Sequence, residues 1–71
     1  MIELTNVVAT VERANLFTIG LKMDEINPVD LVTYSRIDFE EFEPISIGDS
    51  FTVDIKNGES LILSNVRGFR T

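Results

Sequence analysis

Residues 51 to 63 constrain this chain most: Phe51, Val53 and Ile55 alternate with Thr52 and Asp54, Lys56-Asn57-Gly58 follows, and Leu61, Ile62 and Leu63 come after it. Two period-2 runs of strand-forming residues around an Asn-Gly specify a β-hairpin. Side-chain pairing then selects the register. A two-residue Asn57-Gly58 loop sets Val53 opposite Ile62 and Phe51 opposite Ser64. A three-residue Lys56-Asn57-Gly58 loop, with Gly58 in the left-handed region, sets Val53 opposite Leu61 and Phe51 opposite Leu63. The second keeps the apolar side chains on one face and is the predicted register.

The rest of the chain reads in the same vocabulary. Ile2 and Leu4 are in one apolar phase, Val7, Ala9 and Val11 in the other. One extra residue near Asn6 explains the switch, so a β-bulge is predicted there. Glu12 to Asn15 reads as a tight connection with Asn15 at positive φ. Phe17, Ile19, Leu21 and Met23 alternate with Thr18, Gly20 and Lys22, a half-buried strand in which Gly20 marks a bend. Pro28 holds Asn27 extended. Asn27 as N-cap, Pro28 at N1 and Asp30 at N3 would open a helix over residues 29 to 37, but the β-branched and aromatic side chains Val29, Val32, Thr33, Tyr34 and Ile37 favour strand, which is the prediction. Asp38 followed by Glu41 has N-cap spacing and Pro44 stops what it begins, which predicts one helical turn over 38–43. The predicted core is Leu4, Val7, Val11, Phe17, Ile19, Leu21, Leu31, Ile37, Ile47, Phe51, Val53, Leu61 and Leu63.

This order of elements predicts an all-β fold: a small five-stranded barrel, OB-like with an SH3-like barrel as the second topology, with one short helical turn. Composition shows no linker, repeat or low-complexity tract, so residues 1–71 read as one domain. A chain of 71 residues buries only about 60% of its unfolded surface. It has no cysteine, so compact packing, self-association or a partner must supply what disulfides cannot. The first residues have neither a basic segment nor an apolar run of signal-peptide type, and no apolar run reaches membrane-spanning length. The expectation is cytoplasmic residence without membrane partners.

Charge narrows the function classes. The net charge is −6, and residues 24–43 hold seven acids against one base, Arg36, while the remainder is balanced. One acidic side repels phosphate backbones and attracts cationic surfaces. The chain has neither histidine nor cysteine, so its serines lack the usual base and no enzyme is expected. No cofactor is implied. Asp24, Glu25, Asn27 and Asp30 supply oxygen donors, but without the regular spacing and central glycine of a calcium loop. A solvated turn is the expectation there.

Two binding sites follow. Acids interleave with aromatics at 38–43, and Glu40, Glu41, Phe42 and Glu43 are the candidate protein-binding patch, with Phe42 as anchor and the carboxylates facing a basic partner. The predicted function is a small acidic adaptor or inhibitor that acts by occupying a surface. As an alternative, Lys22, Tyr34, Lys56, Arg67, Phe69 and Arg70 supply the stacking and basic groups of an OB-like single-strand nucleic-acid binder, although six bases against twelve acids weaken counterion release. A third reading is a structural homo-oligomer joined through exposed strand edges.

Overall fold

The computed structural model describes residues 2–57 and 61–70. Five strands, β1 (Ile2–Ala14), β2 (Thr18–Met23), β3 (Asn27–Ser35), β4 (Ser50–Asn57) and β5 (Leu61–Arg70), form one antiparallel sheet in the order β3-β2-β1-β4-β5. A 3-10 helix, Arg36–Phe42, connects β3 to β4. No backbone ladder joins β3 to β5, which are the two edges of the sheet.

The central strands define one buried face. Val7, Ala9 and Val11 of β1, Ile19, Leu21 and Met23 of β2, and Phe51, Val53 and Ile55 of β4 are all buried. Each triplet has the spacing of two that puts side chains on one side of a strand. Phe39 from the helix and Ile45 from the following loop complete this core. Leu4 belongs to the same face because the predicted bulge is present: Leu4 pairs with Ile55 but Val7 with Val53, and Asn6 has φ 58°.

Asp54, on the outer face of β4, holds the bulges of both neighbouring strands. Its Oδ1 accepts the Asn6 N–H at 3.1 Å, and its Oδ2 accepts the Asn65 side-chain amide at 3.1 Å. Arg67 donates to Asp54 Oδ1 at 3.1 Å, to the Asn65 carbonyl at 2.7 Å and to Asn6 Oδ1. Asn65 has φ 53°, and with Gly68 at φ 66° it marks the two places where β5 carries an extra residue against β4. Left-handed backbone costs asparagine less than other side chains, and glycine least.

Both proposed hairpin registers differ from the structure. Asn57 pairs with Leu61 and Ile55 with Leu63, because the ladder continues through Lys56 and Asn57 instead of stopping at Ile55. Phe51 meets Phe69, not Leu63, its ring stacked 4.9 Å away at 6°; the two β5 bulges shift Phe69 into reach. Residues 58–60, and with them the expected left-handed Gly58, lie outside the described residues.

Aromatic packing joins the sheet edges that the backbone does not. Tyr34 of β3 meets Phe39 edge-on at 6.2 Å, Phe39 meets Phe51 at 5.9 Å and Phe42 at 6.4 Å, and Phe69 of β5 stacks on Phe42 at 5.4 Å. Five of the six aromatic residues of the chain thus form one chain of contacts from edge to edge. The Tyr34 hydroxyl also donates to the Leu61 carbonyl at 3.4 Å.

The expected core needs three corrections. Phe17, Ile37 and Ile47 are exposed. Phe17 lies in the turn before β2, and the last rung of β1–β2 is Ala14 with Ile19, so no β1 residue lies across from it. Ile37 belongs to the helix, which begins at Arg36 after Ser35 instead of at an Asp38 cap and turns Phe39 inward. Ile45 takes the core position that Ile47 was assigned, since Asp49 folds the loop back by accepting the Ser46 N–H. Leu4, Leu61 and Leu63 pack against the core while partly exposed, and Leu31 is half-buried.

One local expectation also changes, and Gly20 has a packing reason. Asn15 is not at positive φ; its Oδ1 instead accepts the N–H groups of Phe17 and Thr18 and the Thr18 hydroxyl. Gly20 makes room for a side chain. A Cβ there would meet Leu31 Cδ1 at 3.0 Å and Arg13 Cβ at 3.2 Å, and Arg13 crosses β2 at this point to reach Thr33 Oγ1 at 3.2 Å.

Phe51→Ala removes the side chain shared by the β4 core and the aromatic chain. It should cost about 3–5 kcal/mol, a large part of the ~5–15 kcal/mol typical of a domain, read as a lower urea midpoint. Asp54 predicts an acid dependence. The Asn6 N–H first, then the Asn65 amide and Arg67, hold its carboxyl below the ordinary range. Its contribution is therefore complete above the unfolded pKa of about 3.9 and is lost as pH falls through the lower folded value. Asp54→Asn should reduce stability at pH 7 and flatten the acid limb of a stability-versus-pH curve below about pH 4.

Candidate functional site

Three large apolar side chains that the core leaves out converge at one end of the sheet. Leu16 is 79% exposed, Phe17 76% and Ile37 70%. They line one depression of about 530 Å³ together with Ser35, Arg36, Glu40 and Glu43. Leu16 and Phe17 come from the β1–β2 turn, Ile37 and Glu40 from the helix.

Arg36 locks these two elements together. Its backbone N–H donates to the Phe17 carbonyl at 2.8 Å. Its guanidinium donates to the Asn15 carbonyl at 2.7 Å and the Ile45 carbonyl at 3.1 Å, and grips Glu43 through Nε–Oε2 at 2.8 Å and a second nitrogen to Oε1 at 3.1 Å. Two parallel charge-assisted bonds give direction as well as attraction. Glu43 also accepts the Ile45 N–H at 2.9 Å. The Arg36 hydrogen bond, then the Ile45 N–H and the Arg36 charge, hold the Glu43 carboxyl below its ordinary pKa, and the same bond raises that of Arg36.

The candidate patch of Glu40, Glu41, Phe42 and Glu43 is divided. Glu40 and Glu43 border the Leu16–Phe17–Ile37 depression, whereas Glu41 and Phe42 line a different groove beside β5. Phe42 is half-buried against Phe39 and Phe69, and Glu43 is engaged by Arg36. Glu40 and Glu41 are exposed.

The basic and aromatic set is scattered. Lys22 pairs with Asp24 at 3.8 Å, Lys56 with Glu3 at 3.8 Å and Arg67 with Asp54 at 3.1 Å. These lie on β2, β4 and β5 respectively. Phe69 stacks on both Phe51 and Phe42, and Tyr34 is half-buried with its hydroxyl pKa raised by that burial. The Arg70 side chain lies outside the described residues. Among the described residues, no group of three or more carboxylate, histidine or cysteine side chains is placed to hold a metal ion, and no helix is long and apolar enough to cross a membrane.

Sequence reasoning missed Leu16, Phe17 and Ile37 as a surface. One signal was present: Leu16 and Phe17 are adjacent apolar residues, and an alternating strand has room for only one of them on its inner face. No family model, curated protein or solved structure matches this chain.

Arg36→Ala removes the guanidinium bonds to the Asn15 carbonyl, the Ile45 carbonyl and Glu43, while the backbone bond to Phe17 remains. Amide hydrogen exchange at residues 15–18 and at Ile45 should then accelerate by about tenfold or more, while β4 stays protected, since local opening reports local contacts.

Proposed function

We propose that this protein is a non-catalytic protein-binding module that docks a partner with a basic surface onto the Leu16–Phe17–Ile37 patch. The observation that carries the reading is the exposure of these three side chains around one depression. Water-facing apolar side chains gathered in one place mark docking surfaces, whereas scattered ones are ordinary. Phe17 takes the anchoring role first assigned to Phe42, because aromatic anchors concentrate binding energy when a partner desolvates them. Glu40 supplies electrostatic complementarity at the rim, with the Arg36–Glu43 pair holding the geometry.

The fold supports a finer reading as well. Strand order, the helix between β3 and β4, and the Tyr34–Leu61 hydrogen bond between the sheet edges suit an OB-like barrel with an incomplete seam. Nucleic-acid binding is the weaker reading, because Lys22, Lys56 and Arg67 face carboxylates.

Recovery of partners on immobilised protein, identified by mass spectrometry and repeated with purified components, tests the patch. Phe17→Ser with Ile37→Ser should weaken the purified interaction at least about tenfold while changing stability by no more than ~0.5 kcal/mol, as surface substitutions do. Glu40→Gln should flatten its salt dependence. A partner that binds the double variant as well as it binds the natural chain would refute the assignment.

A further inference from the structure

A second surface lies where the sheet fails to close. A groove of about 610 Å³ runs between the helix and β5, and six consecutive residues of β5, 61–66, line it. Successive side chains of a strand point to opposite faces. A groove touched by all six therefore follows the edge of the strand instead of crossing one of its faces. Tyr34 of β3, the opposite edge strand, lines the same groove. The groove is thus the gap between the two ends of the sheet.

Its chemistry selects an occupant. The floor includes Phe39, Leu61 and Leu63, which belong to or pack against the core. At the rim stand the exposed carboxylates Asp38 and Glu41, neither in a salt bridge among the described residues, and no lysine or arginine is among the described lining residues. An edge strand presents backbone N–H and C=O groups that another strand can pair with. Two acids beside that edge favour cationic side chains and oppose phosphate. A second copy of this chain, itself at net charge −6, is disfavoured by the same field.

We propose that this groove accepts an extended peptide with alternating apolar and basic residues, added as a strand to the edge of β5 that no backbone ladder covers, with the peptide replacing the Tyr34 hydroxyl at the Leu61 carbonyl. Backbone pairing to β5 supplies affinity, apolar side chains enter the floor, and lysine or arginine side chains meet Asp38 and Glu41. The part of β5 before the Asn65 bulge, residues 61–64, spans roughly 13 Å and sets the length over which a regular ladder forms.

A seven-residue peptide of alternating valine and lysine, titrated into the labelled protein and followed by amide NMR shifts, tests this. Saturable shifts at residues 61–66 and Tyr34 are expected, together with weakening of at least about tenfold when alternate peptide nitrogens are methylated, because pairing to an edge requires them. Asp38→Asn with Glu41→Gln should weaken binding by about tenfold, consistent with two exposed ion pairs. Phe17→Ser should leave it unchanged, which separates this groove from the patch proposed above. Absence of saturable shifts, full binding of the methylated peptide, equal binding of a valine–glutamate peptide, or shifts at these amides with oligothymidine in place of the peptide would each overturn the proposal.

Discussion

One carboxylate organises the curvature of this sheet. Asp54 accepts hydrogen bonds from the bulge at Asn6 on one neighbouring strand and from Asn65 on the other, with Arg67 bridging both. A bulge bends its strand and adds local twist. Two bulges held by the same residue bend β1 and β5 at the same level of β4. A nearly flat sheet could not bring Tyr34 and Phe69, on opposite edge strands, into one set of aromatic contacts.

From that bend follows the division of labour among the aromatics. Apart from Met23 and Phe51, the three central strands cover one face with small and branched aliphatic side chains, while the open side is spanned by rings, to which Phe51 of β4 is the link. Rings reach farther than aliphatic side chains and gain from offset or tilted contact with one another. The helix contributes two of them, Phe39 and Phe42. Its exposed side turns the other way, and with the β1–β2 turn it forms the Leu16–Phe17–Ile37 surface. Arg36 couples these two roles through its position between the turn and the loop that begins at Glu43.

Much of the fold was legible because alternation reports burial directly. The bulge at Asn6 could be read from a phase change between Leu4 and Val7, and the inner faces of β2 and β4 from period-2 runs. The hairpin register could not be read in the same way. Apolar matching favoured Phe51 against Leu63, but the ladder runs on through Lys56 and Asn57 so that Leu63 pairs with Ile55, and the residues that β5 inserts at Asn65 and Gly68 then carry Phe69 to Phe51. The site was hidden for a related reason. Alternation assigned Phe17 inward and strand propensity placed Ile37 in β3, whereas the sheet ends before the first and the helix begins before the second. Both are boundary effects, and boundaries depend on tertiary bonds such as Arg36 to Phe17 that leave no periodic trace.

The seam between β3 and β5 differs in kind from the rest of the sheet, since rings hold it where ladders hold the other strands. Apolar contact loses strength on cooling, so cold weakens the contacts that close this line together with the core beneath it.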